Sequence, residues 1–304
     1  MYADLVCKGG GVKGIALVGA ISYFEDQGYS WKKLAGTSAG AIVASLLAVG
    51  YTSRELTDIL FDLKLKTFIH EKSLNSIPIL GPLSNLLIRK GIYSGDPVEK
   101  FLNEKFRAKN KTTFRDVYID GESKLKIIAA DVTNKKLVIL PDDLIKYNIN
   151  PLDFEIAKAV RMSISIPFFF RPVIINDSIQ NNYIVDGGLL SNFPVWIFDI
   201  PGIPRWPTFG LNLFDDKVSC PKKRTRFTSY ALDIVETSLN TSEDIYYKES
   251  DTIRIVNIPT LGIDSVNFDI SQDEKLRLFD SGYNSAKSFL NNWCFDSYIN
   301  RYRF

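Results

Sequence analysis

Short apolar runs alternate with helical periods along most of this chain. Asp4-Leu5-Val6-Cys7 reads as a short buried strand. A glycine-rich stretch, Gly9-Gly10-Gly11-Val12-Lys13-Gly14, separates it from apolar residues on a helical period between Ile15 and Gln27, with Gly28 as a stop. A second short strand around Leu34 runs into Gly36-Thr37-Ser38-Ala39-Gly40. Ala41 to Val49 is small and apolar on all sides, which predicts a buried helix ended by Gly50. Lys64 to Tyr93 is less regular, with Pro78, Gly81, Pro82 and Gly91 among apolar residues, and reads as an irregular apolar cap. Asp96-Pro97-Val98-Glu99 predicts a helix start, with Asp96 capping and Pro97 in the first position.

Farther along, Leu125 to Ala130 and Leu137 to Leu140 read as strands, and Phe154 to Ser163 as a helix stopped before Pro167. Tyr183-Ile184-Val185 is a strand entering Asp186-Gly187-Gly188. Phe209 to Leu213 and Ile253 to Val256 are further strand candidates, and long helices are expected around Thr228 to Tyr247 and from Asp273 to Trp293. Such alternation implies an α/β fold: a three-layer sandwich with a mainly parallel central sheet and helices on both faces. Without repeats or low-complexity linkers, one domain over residues 1–304 is expected, with a motif-bearing core at about 3–200 and further strands and helices over 205–304.

Composition narrows the function classes. Of 304 residues, 45% are hydrophobic and 24% charged, the balance of a globular chain. A formal net charge of +2 gives no footprint for nucleic acid. The longest strongly apolar stretch, Ala39 to Val49, is too short to span a bilayer, and Met1 to Lys8 lacks the features of a signal peptide. Cys7, Cys220 and Cys294 are far apart and odd in number, which fits a reducing, cytoplasmic compartment and no disulfide framework. With no Cys-x-x-Cys and a single histidine, His70, no zinc site is expected.

Three glycine-bearing motifs carry candidate chemistry. Gly36-x-Ser38-x-Gly40 sits between a strand and a buried helix, the setting of a nucleophile elbow, although a plain turn with Ser38 capping the helix has the same residues. Gly9 to Gly14 satisfies the spacing of a dinucleotide loop, but no acid ends the second strand, where such a site needs one. Alternatively its N–H groups line a pocket for the oxyanion of a tetrahedral intermediate, each donor being worth ~3 kcal/mol of barrier. Lys13 either holds that loop, adds positive potential, or is a solvated first-turn lysine. Asp186 lies just past an apolar strand; burial raises a carboxyl's pKa and makes it a better base, whereas the bland reading is a common Asp-Gly turn. His70, in a mixed polar segment, reads as a packed or exposed polar residue.

In this order, the glycine loop, Gly-x-Ser-x-Gly and Asp-Gly-Gly together resemble the patatin-like phospholipase family. So do Ala159-Val160-Arg161-Met162-Ser163-Ile164-Ser165-Ile166-Pro167 ahead of the aspartate and Asn267-Phe268-Asp269-Ile270-Ser271 near the end. The resemblance implies a serine lipid acyl hydrolase without cofactor or calcium, in which Ser38 is the nucleophile and Asp186 the proton acceptor. Gly10 and Gly11, with Ala39, would supply oxyanion N–H groups, while Gly9, Lys13, Gly14, Gly36, Gly40, Gly187 and Gly188 would support the motifs. Lys8 stands where the family usually has an acid. The implied substrate is a phospholipid or other fatty acyl ester, with peripheral membrane contact as a further expectation. A catalytically silent lipid-binding protein on the same fold stays open, as does, more remotely, a dinucleotide-binding oxidoreductase. The cap residues Ile77 to Leu87 and Phe168-Phe169-Phe170 read as an acyl groove or as ordinary packing, and Lys222-Lys223-Arg224-Thr225-Arg226 as a solvated basic loop or a contact for anionic lipid.

Overall fold

The fold, a computed structural model, describes residues 1–69, 89–215, 237 and 249–302. Strand β1 (Tyr2–Cys7) leads through a 3-10 turn (Gly11–Lys13) into α1 (Gly14–Asp26). β2 (Ser30–Thr37) leads into α2 (Ala39–Ala48), and α3 (Ser53–Asp62) follows behind a capping box of Thr52 and Glu55. Next come β3 (Gly91–Tyr93), α4 (Asp96–Ala108), the hairpin of β4 (Tyr118–Ile119) and β5 (Glu122–Ser123), β6 (Leu125–Asp131) and β7 (Lys136–Leu140). Helix α5 (Ile156–Ser163) precedes β8 (Phe168–Phe170), β9 (Val173–Asn176) and β10 (Asn181–Asp186). β11 (Thr208–Phe214), β12 (Ile255–Pro259), α6 (Gln272–Leu290) and α7 (Phe295–Tyr302) complete the order.

Eight of these strands form one sheet in the order β12-β11-β1-β2-β6-β10-β9, with β7 also on β6. The run from β12 to β6 is parallel, as expected from the alternation of elements. β7, β9 and β10 are antiparallel to their neighbours, because short turns join β6 to β7 and β9 to β10. β1 is buried along five of its six residues, the pattern of a strand covered on both faces.

Alternate residues divide the core. Leu5, Cys7, Leu34, Phe209 and Leu211 share one cluster with the apolar faces of α1, α2, α5 and α6. Val6, Ala35 and Ile255 face the other way, under Phe193, Val195 and Phe198. Each fully buried Leu or Phe contributes about 1.5–3 kcal/mol. Boundaries follow the sequence pattern within a few residues, with two corrections. Gly95, rather than Asp96, occupies the cap position of α4, because Pro97 and Asp96 both already lie inside the helix. Ile253 belongs to a 3-10 turn (Glu249–Arg254), and the strand begins at Ile255. His70, Ile77 to Leu87 of the apolar cap, Cys220, the basic run 222–226 and nearly all of the helix expected at 228–247 lie outside the described residues. Among the described residues no helix is long and apolar enough to cross a membrane.

Candidate active site

Sheet register brings two chain ends together. β2 runs along the first half of one edge of β6 and ends with Thr37 opposite Ile128. β10 descends the second half of that edge and ends with Asp186 opposite Ala129. β7 takes the other edge. Ser38 and Asp186 therefore leave the sheet from neighbouring positions, although far apart in sequence.

Ser38 has φ 54° and ψ −123°, a region that non-glycine residues enter only under constraint. It stands at the cap position of α2 but its side chain makes no capping bond, so the plain N-cap reading does not hold. The constraint comes from both flanks. A Cβ on Gly36 would lie 2.3 Å from the carbonyl carbon of Gly40, and one on Gly40 2.2 Å from the carbonyl oxygen of Cys7. No side chain fits at either position, which is why the turn can be this tight. From the third side, the Ser38 N–H donates to Ser163 Oγ at 2.9 Å, and the Ser163 hydroxyl donates to the Ile128 carbonyl at 2.5 Å.

Asp186 is 1% exposed. Its N–H donates to the Ser165 carbonyl at 2.9 Å. Oδ1 accepts the Gly188 N–H at 2.8 Å, closing the turn that the Asp-Gly sequence suggests. Oδ2 is buried and has no hydrogen-bond partner of ordinary geometry among the described residues. Burial pushes the carboxyl up from 3.8 to about 7, against the opposing pull of the nearby Ser38 hydroxyl and the Gly188 N–H. The hydroxyl is thus close to the carboxylate without forming a bond of ordinary geometry to Oδ2. Gly187 lets the chain pass tightly over β6: a Cβ there would meet the Ile128 carbonyl oxygen at 2.3 Å.

The glycine loop closes the third side of this space. A Cβ on Gly9 would approach Ser38 Cβ to 3.1 Å, so the loop lies directly against the elbow. Gly9, expected to support the motif, donates its N–H to the Asn192 carbonyl at 3.1 Å. The N–H groups of Gly10 and Gly11 meet no acceptor among the described residues. Ala39 opens α2, so its N–H has no intrahelical partner either. Gly14, opening α1, sits close to Ala39, and the two positive helix ends converge on one spot.

Lys13 is neither solvated nor a source of free positive potential. It is buried, and its ammonium pairs with Asp215 at 2.9 Å. Asp215 also accepts a short hydrogen bond from the Thr260 hydroxyl. Lys8 is likewise buried and donates to Asn212 at 2.9 Å. Together with Val12, whose N–H donates to the Ser265 carbonyl at 3.0 Å, these contacts pin the loop to β11 and to the chain that follows β11 and β12. Phe169 and Phe170 are packed in the interior, and only Phe168 is exposed. Among the described residues no group of three or more His, Cys, Asp or Glu side chains is placed to hold a metal.

Sequence reasoning missed the supporting residues. In sequence Ser163 is only part of a resembling block, and nothing local marks it as the acceptor for Ser38. Arg161, buried beneath the site, donates to Ser165 Oγ at 2.6 Å and to the Arg171 carbonyl at 2.8 Å, contacts that no spacing rule announces.

A buried carboxylate beside a strained serine on a mainly parallel sheet, with unbonded amides alongside, is a layout suited to acyl transfer on a serine. Comparison with known proteins gives the family. Residues 5–199 match the family described as patatin-like phospholipase. The chain is 36% identical over 300 residues to the uncharacterized protein YqhO of Bacillus subtilis (strain 168), covering 97% of this chain and 100% of that one. It is 29% identical over 197 residues to the probable lipid hydrolase 463L of Invertebrate iridescent virus 6, covering 64% and 62%. This chain belongs to the patatin-like phospholipase family. In fold it is similar to VipD from Legionella pneumophila, with a TM-score of 0.58, 18% identity and coverage of 95% of this chain and 66% of that one. It is also similar to the ExoU–SpcU complex of Pseudomonas aeruginosa, with a TM-score of 0.54, 19% identity and coverage of 100% and 52%. The chain therefore spans between about half and two thirds of those solved chains.

Proposed function

We propose that this protein is a serine lipid acyl hydrolase of the phospholipase A or lysophospholipase type, working through Ser38 and Asp186 without histidine. Membership in the patatin-like phospholipase family supports lipid acyl hydrolysis in general. The observation that carries the finer reading is the unpartnered, buried Oδ2 of Asp186 next to the strained Ser38. A buried acceptor without a donor costs stability, and an incoming proton relieves that cost.

In this reading Oδ2 accepts the Ser38 proton while Oγ attacks the ester carbonyl carbon. The carbonyl oxygen becomes an oxyanion held by the N–H groups of Gly10, Gly11 and Ala39. Collapse breaks the bond to the alcohol, which leaves with the proton from Asp186, and the acyl group stays on Ser38. Water then gives its proton to Asp186 and attacks the acyl-enzyme; Ser38 leaves and takes the proton back. A carboxyl near pH 7 in affinity for protons is suited to both directions of transfer.

The test is labelling by an alkyl fluorophosphonate together with hydrolysis of p-nitrophenyl fatty esters. Wild type should label and turn over. Ser38→Ala should do neither, and Asp186→Asn should lose at least a thousandfold in kcat. Hydrolysis surviving in a folded Ser38→Ala protein would remove the nucleophile assignment. A folded wild type that never labels would be a lipid-binding protein without this activity.

A further inference from the structure

An apolar cavity of about 70 Å³ begins beside the elbow. One wall is Ala39, Ile42 and Val43 of α2, at the i, i+3, i+4 spacing of a single helix face. That stripe starts at the residue directly after Ser38. A second wall is Val98, Phe101 and Leu102 of α4, at the same spacing. Leu60 and Leu63 close it from the end of α3, Phe68 stands against Phe101 with ring centroids 5.5 Å apart, and Gly11 and Gly14 lie at the loop side.

We propose that this cavity receives the first carbons of the substrate's acyl chain, a straight alkyl segment, and that Phe101 limits how far the chain extends. The proposal rests on Ser38 being the nucleophile. Continuity with the reacting centre supports it: Gly11 and Ala39, whose N–H groups face the carbonyl oxygen in that reaction, also line the cavity. On this proposal an acyl group on Ser38 enters the cavity between Gly11 and Ala39. Chemistry of the wall chooses the occupant. Every described residue lining the cavity is glycine, alanine, valine, isoleucine, leucine or phenylalanine, so a head group, sugar or phosphate would lose its hydrogen bonds against them, whereas an alkyl chain loses nothing. Ile42, Leu60, Leu63 and Phe101 are only partly buried despite being apolar, which leaves surface for a chain to cover.

Size sets the expected profile. The cavity has about half the volume of a ~150 Å³ apolar cavity that accepts benzene, room for roughly three carbons beyond the carbonyl. Across p-nitrophenyl esters from acetate to decanoate, kcat/KM should climb roughly fourfold per methylene while the cavity fills, then flatten. Phe101→Ala should move the break to longer chains by about two carbons, since it removes most of one wall. Phe101→Leu, a milder change for folding, should move it in the same direction by less. Val98→Phe should move it to shorter chains. A break that stays in place in all three folded, active variants overturns the pocket and leaves the nucleophile standing. A wild type that an alkyl fluorophosphonate does not label overturns both together, so the two failures are distinguishable.

Discussion

A buried carboxylate should weaken the fold that holds it, and Asp186→Asn measures by how much. The carboxyl is fully buried and sits at about 7 instead of 3.8. At 1.36 kcal/mol per pH unit, that distance is worth about 4 kcal/mol. The sign follows from where protons bind. Between pH 3.8 and about 7 the folded chain keeps a proton that the unfolded chain has released. The contribution of Asp186 to stability is therefore fully present below about pH 4 and is lost as pH rises to about 7. Asparagine has no such loss. It keeps an oxygen for the Gly188 N–H, and leaves its amide hydrogens unpartnered where Oδ2 was, a penalty that does not change with pH.

Urea unfolding of both proteins, followed by tryptophan fluorescence from pH 5 to pH 9, separates the two effects. The stability of Asp186→Asn relative to wild type should rise by about 2.5–3 kcal/mol over that range and level off above pH 8. Other titrating groups, such as Asp4, which burial pushes up to about 6, are common to both proteins and cancel in the difference. A relative stability independent of pH would refute the reasoning, because it would mean that burial does not hold the proton on Asp186.

Three further outcomes are expected. For p-nitrophenyl esters, kcat/KM should rise tenfold per pH unit below about 7 and level off above it, since only ionised Asp186 accepts a proton; a plateau reaching down to pH 5 would exclude Asp186 as the base. Ser163→Ala removes the acceptor for the Ser38 N–H and the donor to Ile128, and should cost about 1–3 kcal/mol in urea unfolding while lowering kcat more than it raises KM; unchanged kcat would make Ser163 purely structural. Gly36→Ala puts a methyl 2.3 Å from the backbone of Gly40, so the elbow should fail to form, with a Tm many degrees lower; a Tm near wild type would contradict the closeness of the turn.

How much of this was readable beforehand depended on whether the cause was local. The elbow was legible because two glycines flanking a serine remove clashes within five residues. Asp186 was legible as the end of an apolar strand. The antiparallel strands were not foreseen, since direction is set by the turns that return the chain, although Asn134 and the Asn176-Asp177-Ser178 segment are such turn residues. Helix α3 was overlooked in spite of its Thr52–Glu55 capping box, a signal present in the sequence. Lys13 could not be sorted by position: whether a lysine after a glycine loop is solvated depends on Asp215, some two hundred residues later. Ser163 likewise acquires its role only when α5 crosses behind β6.

The reach of Ser38 to Asp186 has two independent causes. One is the sheet: β2 and β10 end against consecutive residues of β6, Ile128 and Ala129. The other is the end of α5, where Ser163 accepts the Ser38 N–H and the Ser165 carbonyl accepts the Asp186 N–H. Two residues of one chain segment thus hold Ser38 and Asp186 directly. The sheet alone would leave a strained serine free to relax its positive φ, and relaxation would carry the hydroxyl away from the carboxylate. With the N–H of each residue anchored to the same short segment, relief of strain at Ser38 requires breaking the Ser163 bond, and reorienting Asp186 requires breaking the one to Ser165. Strain and desolvation, both costs, persist at the site because the supports that oppose them are shared between its two members.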